Sequence, residues 1–485
     1  MAEIVVIGSG IAGIACSIRL AAKGHKVNIY EANQYPGGKL TSFKNGEYRF
    51  DAGPSLFTMP QLVTDLFELC GENPNNHFTF QTKEHICKYH WDDGMSYRMP
   101  AGKKNIIQSM ANTFQISEKS IEKYLNTSEK KYNLTSPVFL EQSLHKWANY
   151  LNLKTLKAFL HTPILGVFNS LHSYNKKYFK DEKVVQLFDR FATYNGSSPY
   201  RTPAIMSMIP HLEMGLGTFF PNGGMVAITN SLVKLAERQG VHFHFGNLVS
   251  KITINNGKAT GIVVDDREIT SDYVISNMDI FTTYRKLLAQ ESQPEKILNQ
   301  ERSSSALIFY WGMNTSFPEL DLHNIFFSNS YQEEFEAIFN QKSLHKDPTV
   351  YVNISAKCNP ADAPNGGENW FVMINTPGDF GQDWDNLIAK SRNIIQNKIK
   401  RALGKNISDF IVTEDILHPR LIEKRTKSHR GALYGTSSNN RYAAFLRHPN
   451  FAKKIKNLYF CGGSVHPGGG IPLCLHSAKI VSNLF

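Results

Sequence analysis

Ile4-Val5-Val6-Ile7-Gly8-Ser9-Gly10-Ile11-Ala12-Gly13, near the start of a 485-residue chain, is the stretch whose reading decides the fold. Four β-branched residues run straight into a glycine pattern, as a strand does where it turns into a helix. Gly8 permits the tight turn, Gly10 lets a pyrophosphate approach the backbone, and Gly13 lets the helix lie close on the strands. The first-turn N–H groups, with Ile11 and Ala12 among their residues, then face the phosphates with the helix dipole behind them. Ile11, Ile14, Ala15, Ile18 and Ala22 recur at helical spacing, and Gly24 supplies the stop. Val27-Asn28-Ile29-Tyr30-Glu31 is a second strand. Glu31, followed by Ala32, lies about twenty residues beyond the glycines, where an acid accepts hydrogen bonds from ribose hydroxyls and repels the extra phosphate of NADP. The unit reads as a dinucleotide-binding βαβ.

Outward from it come Tyr35-Pro36-Gly37-Gly38-Lys39 and Phe50-Asp51-Ala52-Gly53-Pro54, the latter continuing into Ser55-Leu56. At the far end, Leu458-Tyr459-Phe460-Cys461-Gly462-Gly463-Ser464-Val465-His466-Pro467-Gly468-Gly469-Gly470-Ile471-Pro472 again runs strand, glycine loop, helix, with Pro472 in the helix's first turn. With these pieces in this order, the chain resembles the glutathione-reductase-like FAD oxidoreductases and, within them, the phytoene-desaturase family of carotenoid desaturases. That family carries Gly-Gly-Arg or Gly-Gly-Lys after the ribose acid, a Phe-Asp-Ala-Gly-Pro stretch, and a closing Gly-x-Gly-Thr-His-Pro-Gly-x-Gly-x-Pro. Gly431-Ala432-Leu433-Tyr434-Gly435 also matches, and Phe445-Leu446-Arg447-His448-Pro449 does so more loosely. The chain departs from the pattern at Leu473-Cys474, where Gly-Val is usual, and in its middle, which leaves the substrate open.

The resemblance implies an α/β fold: a glutathione-reductase-like FAD-binding Rossmann domain, an interleaved antiparallel-sheet substrate domain and a helical, membrane-facing cap. It implies FAD held by Gly8, Gly10, Ile11, Ala12, Gly13, Glu31, Ala32, Gly37, Gly38, Lys39, Pro54, Ser55 and Leu56 at one end and by Gly462, Gly463, Gly470, Ile471 and Pro472 at the other. The backbone of Val249 is expected at the adenine, and Asn277 at the end of a cofactor-domain strand. The closing helix would aim its N-terminus at the flavin ring, where its partial positive charge favours the reduced, anionic form.

Composition narrows the rest. A hydrophobic fraction of 41% is that of a folded protein, and the length suits two domains. The net charge of +11 favours anions, acidic lipid headgroups included; no nucleic-acid-binding motif accompanies it, so nucleic acid is not an expected partner. Six cysteines without a C-x-x-C pair read as free thiols of a reducing cytoplasm. His85-Ile86-Cys87-Lys88-Tyr89-His90 alternates like a strand, and no metal site is expected there. The chain shows neither a secretory signal nor an apolar run long enough to span a bilayer, so any membrane attachment is expected to be peripheral.

In order, residues 76–104 and 301–414 carry strand patterns, with Asp92-Asp93-Gly94 as a hairpin turn, and are assigned to substrate binding. Residues 1–75, 205–300 and 415–485 are assigned to FAD. Residues 105–204 are helical, Lys-rich and interleaved with aromatics: Lys130-Lys131-Tyr132, Trp147, Leu151-Asn152-Leu153-Lys154 and Tyr174 to Lys180. This segment reads equally as a solvated cap or as one lying on an anionic bilayer with its lysines among the headgroups; desaturases that draw a carotenoid from a bilayer favour the second.

The implied reaction removes a hydride from an allylic carbon and a proton from its neighbour, with oxygen or a quinone as final electron acceptor. No catalytic dyad is visible, as positioning dominates such chemistry. His466 is the candidate proton acceptor, weighed against a loop histidine satisfied by backbone. Overall similarity favours 3,4-desaturation of a 1-hydroxycarotenoid. Phytoene or diapophytoene desaturation, carotenoid isomerisation, and a flavin-free prenyl-lipid carrier resembling the GDP-dissociation inhibitors are the alternatives.

Overall fold

The computed structural model describes residues 1–146, 165–440, 442 and 446–485. Trp147, the Leu151 to Lys154 stretch and Phe445 lie outside them.

Glu3–Ile7 is the middle strand of a five-stranded parallel sheet in the order Leu458–Phe460, Tyr273–Ser276, Glu3–Ile7, Lys26–Glu31, His242–Phe245. The two ends of the chain therefore share one sheet, with a single strand between them. Alternation splits the residues of Glu3–Ile7 between two cores. Ile4 and Val6 pack with the helices Ile11–Ala21, Val226–Arg238 and Ile471–Ser482 through Ile14, Ile18, Leu235 and Leu475. Val5 and Ile7 face the other way, onto the antiparallel three-stranded sheet 249–270 through Val249, Ile252 and Ile262. Burial on both faces explains the unbroken apolar run.

A second, seven-stranded sheet runs Ile411–Leu417, Ser305–Met313, Glu368–Thr376, Val350–Asn353, His323–Phe326, His85–His90, Ser96–Pro100. All its neighbours are antiparallel except His323–Phe326 with His85–His90. One face, with Leu307, Phe309, Trp311, Val352, Trp370 and Val372, packs with Ile395 and Ile399 of the helix Trp384–Leu403. The strand Ile411–Leu417 pairs with Ser305–Met313 through consecutive residues, with one register shift between Gly312 and Met313.

Lys103–Phe114, Glu118–Thr135, Leu171–Tyr178 and Glu182–Asp189 form the helical layer. Ser170 and Asp181 cap the last two, accepting from the N–H groups of Ser173 and Val184. One expectation for this layer is corrected. Lys131, read as a headgroup lysine, is fully buried, its Nζ donating to the Ala204 carbonyl (3.0 Å) and the Ser207 hydroxyl (2.8 Å) and lying 3.8 Å from the centre of the Tyr174 ring. It sits on the inward face of its helix with Ile121, Tyr124 and Ser128, which a charge count along the sequence does not reveal. Among the described residues no helix is long and apolar enough to cross a membrane.

Candidate active site

Between the two sheets lies one continuous cavity of about 550 Å³, within the range of roughly 300–1,000 Å³ usual for ligand pockets. Its cofactor-side end is built on the parallel sheet. The chain leaves Glu3–Ile7 through Gly8 and enters the helix at Gly10, whose N-cap position carries no side-chain cap, so the first-turn N–H groups are left for a ligand. A Cβ on Gly13 would stand 2.4 Å from the Gly8 carbonyl oxygen, so this glycine sets the helix-to-turn distance from behind the cavity wall. Gly37 N–H donates to the Ser9 carbonyl (2.8 Å), which brings Gly37-Gly38 to the same opening. Glu31 is buried, each carboxylate oxygen taking two bonds: Oε2 from the Ser9 N–H and hydroxyl, Oε1 from the Asn33 N–H and amide. The carboxylate is thereby held at the strand end.

Asn277 joins the two ends of the chain. Its Nδ2 donates to the Gly8 carbonyl (3.2 Å), its Oδ1 accepts from the Cys461 thiol (3.7 Å), and a Cβ on Gly462 would lie 2.8 Å from that same Oδ1. The closing loop then enters Ile471–Ser482 at Gly470, again without a side-chain cap and with proline in the first turn. Every site residue expected from the sequence lines the cavity except Gly13: the opening residues Gly8, Gly10, Ile11 and Ala12; Glu31 and Ala32; Gly37 to Lys39; Pro54 to Leu56; Val249 and Asn277; and Gly462, Gly463, His466 and Gly470 to Pro472. Asp51 serves otherwise. It accepts from the N–H groups of Met225 (2.8 Å) and Val226 (3.1 Å) at the start of Val226–Arg238 and pairs with Arg49, so it anchors the loop that presents Pro54 to Leu56.

Three groups near the closing loop are tuned by burial. Lys39 donates to the carbonyls of Ala432 (3.1 Å) and Leu433 (2.9 Å), and desolvation lowers its pKa to about 8. Arg447 donates to the Tyr434 carbonyl (3.1 Å), and desolvation lowers its pKa to about 10. His466 donates from Nε2 to the Gln142 carbonyl (2.9 Å), and desolvation brings its pKa down to about 4. A carbonyl can only accept, so Nε2 carries the hydrogen and Nδ1 holds the bare lone pair. Beside the same loop, Arg447 Nε and both ring nitrogens of His476 are buried without a hydrogen-bond partner, and all three atoms belong to cavity-lining residues.

The opposite wall is the free face of the seven-stranded sheet, with Ile308, Met373, Tyr351, Ile325 and Cys87 on successive strands. It carries a buried ion pair that sequence reading missed. Arg190 Nη2 meets both oxygens of Glu213 (2.9 and 3.2 Å) and the Tyr89 hydroxyl (2.7 Å), while Tyr194 donates to Glu213. Burial works against the Arg190 charge, but the Glu213 carboxylate overrides it and holds the guanidinium pKa well above its ordinary value.

Two uncapped helix N-termini on one cavity, a carboxylate fixed at the end of a parallel strand and unpartnered donors at the other end fit a long, anionic dinucleotide cofactor. The family model described as flavin containing amine oxidoreductase matches residues 11–484.

The chain belongs to this flavin-containing amine oxidoreductase family. It is 54% identical over its whole length, and over 99% of the relative, to a 1-hydroxycarotenoid 3,4-desaturase of Flavobacterium sp. (strain P99-3). It is 30% identical over 99% of its length, and over 97% of the relative, to a 4,4'-diaponeurosporene oxygenase of Staphylococcus aureus (strain MSSA476). Among solved structures, an oxidoreductase from Methanosarcina mazei superposes with a TM-score of 0.66 at 17% identity, covering 99% of this chain and 100% of that one. A wild-type putrescine oxidase bound to putrescine gives 0.63 at 14%, covering 99% and 98%. These two likenesses speak for the fold alone. As a member of the flavin-containing amine oxidoreductase family, the chain is an FAD-dependent oxidoreductase with the α/β architecture expected from its opening motif.

Proposed function

We propose that the protein is an FAD-dependent carotenoid desaturase that introduces the 3,4 double bond of a 1-hydroxycarotenoid. The observation that carries this reading is the full-length 54% identity to a desaturase of that name, joined to a cavity whose cofactor-side wall is polar and glycine-rich and whose opposite wall is largely apolar. The bound flavin supplies the hydride acceptor. The chain supplies placement: the apolar sheet face and the closing loop hold the polyene between them and exclude water. Loss of hydride leaves a cation spread over the polyene, whose neighbouring C–H is strongly acidic. His466 is proposed to take that proton at Nδ1, since a base with a pKa of about 4 suffices for so acidic a proton.

On this reading kcat is expected to stay level from pH 8 down to about 5 and to fall as pH approaches 4. An unperturbed histidine would place the fall near 6.5. His466→Ala is expected to lose roughly a hundredfold in kcat with FAD still bound; unchanged turnover would remove His466 from the chemistry.

Residues 1–75, 205–300 and 415–485 are assigned to the cofactor and 76–104 with 301–414 to the substrate. Residues 105–204 are assigned to a cap that rests on an anionic bilayer, and the protein to the cytoplasmic side as a peripheral one. Oxygen or a quinone drains the electrons. One experiment addresses these points together: FAD-loaded protein is offered phytoene, lycopene and a 1-hydroxycarotenoid in anionic and neutral liposomes, with flotation of the vesicles and mass analysis of products. The expected product is the 1-hydroxycarotenoid less two hydrogens, with protein floating on anionic vesicles. A product of unchanged mass identifies an isomerase, and protein left wholly at the bottom of both gradients overturns the membrane assignment.

A further inference from the structure

The cavity-lining residues that hold buried side-chain atoms without partners are three among the described residues: Arg447, His476 and His323. The first two flank the closing glycine loop, Arg447 Nε lying 3.1 Å from where a Cβ on Gly468 would stand and His476 in the helix Ile471–Ser482. His323 is on the other wall, the first residue of the sheet strand His323–Phe326, only 2% exposed, with Nε2 as the orphan.

The tautomer of His323 follows from its neighbours. Asn353 Nδ2 donates to the Leu322 carbonyl (3.1 Å), which fixes the amide with its nitrogen towards His323 Nδ1 at 3.2 Å. Nδ1 therefore accepts, its one lone pair shared between the Asn353 amide and the nearer Tyr351 hydroxyl at 2.8 Å; Tyr351 in turn meets Ser55 Oγ at 2.9 Å. With Nδ1 accepting, the hydrogen of the neutral ring sits on Nε2. Desolvation lowers the His323 pKa to about 3, so the ring is neutral at every working pH. A buried N–H donor without an acceptor is costly unless a ligand oxygen completes it.

We propose that His323, a cavity-lining residue whose Nε2–H is buried without a partner and whose ring is oriented by Asn353, Tyr351 and Ser55, donates from Nε2 to the hydroxyl oxygen on C1 of the substrate and so selects hydroxylated over unhydroxylated carotenoid ends. The inference rests on the proposed 1-hydroxycarotenoid reaction and adds the residue that reads its substrate. Position agrees with it. Ser55, two hydrogen bonds from the imidazole, belongs to the Pro54 to Leu56 loop assigned to the cofactor, and C1 lies two bonds from C3, so a donor reading the hydroxyl has to stand close to the reacting bond. Arg190 and Glu213 on the same wall already bond to each other and to Tyr89 and Tyr194. Among the described residues, His323 is left as that wall's buried donor without a partner.

The test compares wild type, His323→Leu and His323→Gln, each confirmed to bind FAD, on a 1-hydroxycarotenoid and on lycopene, which lacks the hydroxyl. Both kcat/KM and the Kd from tryptophan-fluorescence quenching are measured. The ratio of hydroxylated to unhydroxylated kcat/KM is expected to fall roughly ten- to hundredfold in His323→Leu, mainly through KM and with the Kd ratio moving alike. His323→Gln, whose amide keeps an N–H close to Nε2, is expected to recover most of it. Equal losses on both substrates, or an unchanged ratio, would overturn the inference. Wild-type turnover is judged separately: if neither substrate reacts, the reaction assigned above fails, while a Kd preference that disappears in His323→Leu still upholds the hydroxyl subsite.

Discussion

Gly10→Val is expected to give folded but colourless protein. The backbone at Gly10 has φ −64° and ψ 164°, an extended conformation open to any residue, so the obstacle is space. A Cβ there would stand 2.7 Å from Asn277 Nδ2, the nitrogen bonded to the Gly8 carbonyl. The valine methyl groups have two ways out. They can push Asn277 aside, which loosens its hold on Gly8 and on the Cys461-Gly462 corner, or they can project into the cavity where the phosphates approach the helix N-terminus. Overpacking and the lost approach together cost about 3 kcal/mol or more, which is at least a hundredfold in FAD affinity. The check is the ratio of flavin to protein after purification and after dialysis against FAD. Retention of one flavin per chain by the valine variant would show that the cofactor does not lie over Gly10.

Glu213→Ala is expected to be the more damaging change to stability. Arg190 is 5% and Glu213 1% exposed, and the pair is tied to Tyr89 and Tyr194. Removing the carboxylate leaves a guanidinium buried against Tyr89 and Phe191 with no counter-charge, at a cost of about 3–5 kcal/mol. Replacing both partners, Arg190→Met with Glu213→Leu, removes the stranded charge and is expected to be far milder than either single change. Thermal unfolding of the two single variants and the double variant, all without FAD, measures this. A Glu213→Ala midpoint within a degree of wild type would mean that water or a displaced side chain takes the place of the carboxylate.

These two residues mark where the sequence was legible and where it was not. Gly10, Glu31 and the Gly462 to Pro472 loop stand in local patterns, because a phosphate-binding turn is made by consecutive residues and each position has its own steric demand. The same holds for the strands and helices of the parallel sheet, whose apolar periodicity is strong. Arg190 and Glu213 carry no such signature. They meet Tyr89 from a helical turn, a π-helical turn and a strand far apart in the chain, and a buried charge looks like a surface charge until the fold is known. His323 is silent for the same reason: its role depends on Asn353 and Tyr351, which reach it only through antiparallel pairing of His323–Phe326 with Val350–Asn353. Lys131 shows the converse error, since a lysine-rich helix can still turn one lysine inward when Ala204 and Ser207 satisfy it. The Phe50 to Pro54 stretch was legible as a motif but not in its division of labour, in which Asp51 caps a helix and the residues after it reach the cavity.

The central claim is that the two ends of the chain build one flavin site whose opposite wall holds a polyene for oxidation. An anaerobic single turnover tests it most directly: stoichiometric FAD-loaded protein and 1-hydroxycarotenoid are mixed without oxygen or quinone, and product and flavin state are read together. The account predicts up to one equivalent of carotenoid lacking two hydrogens, with an equal amount of flavin reduced. Isomerised carotenoid of unchanged mass with the flavin still oxidised, or no product at all from flavin-saturated protein, would contradict it.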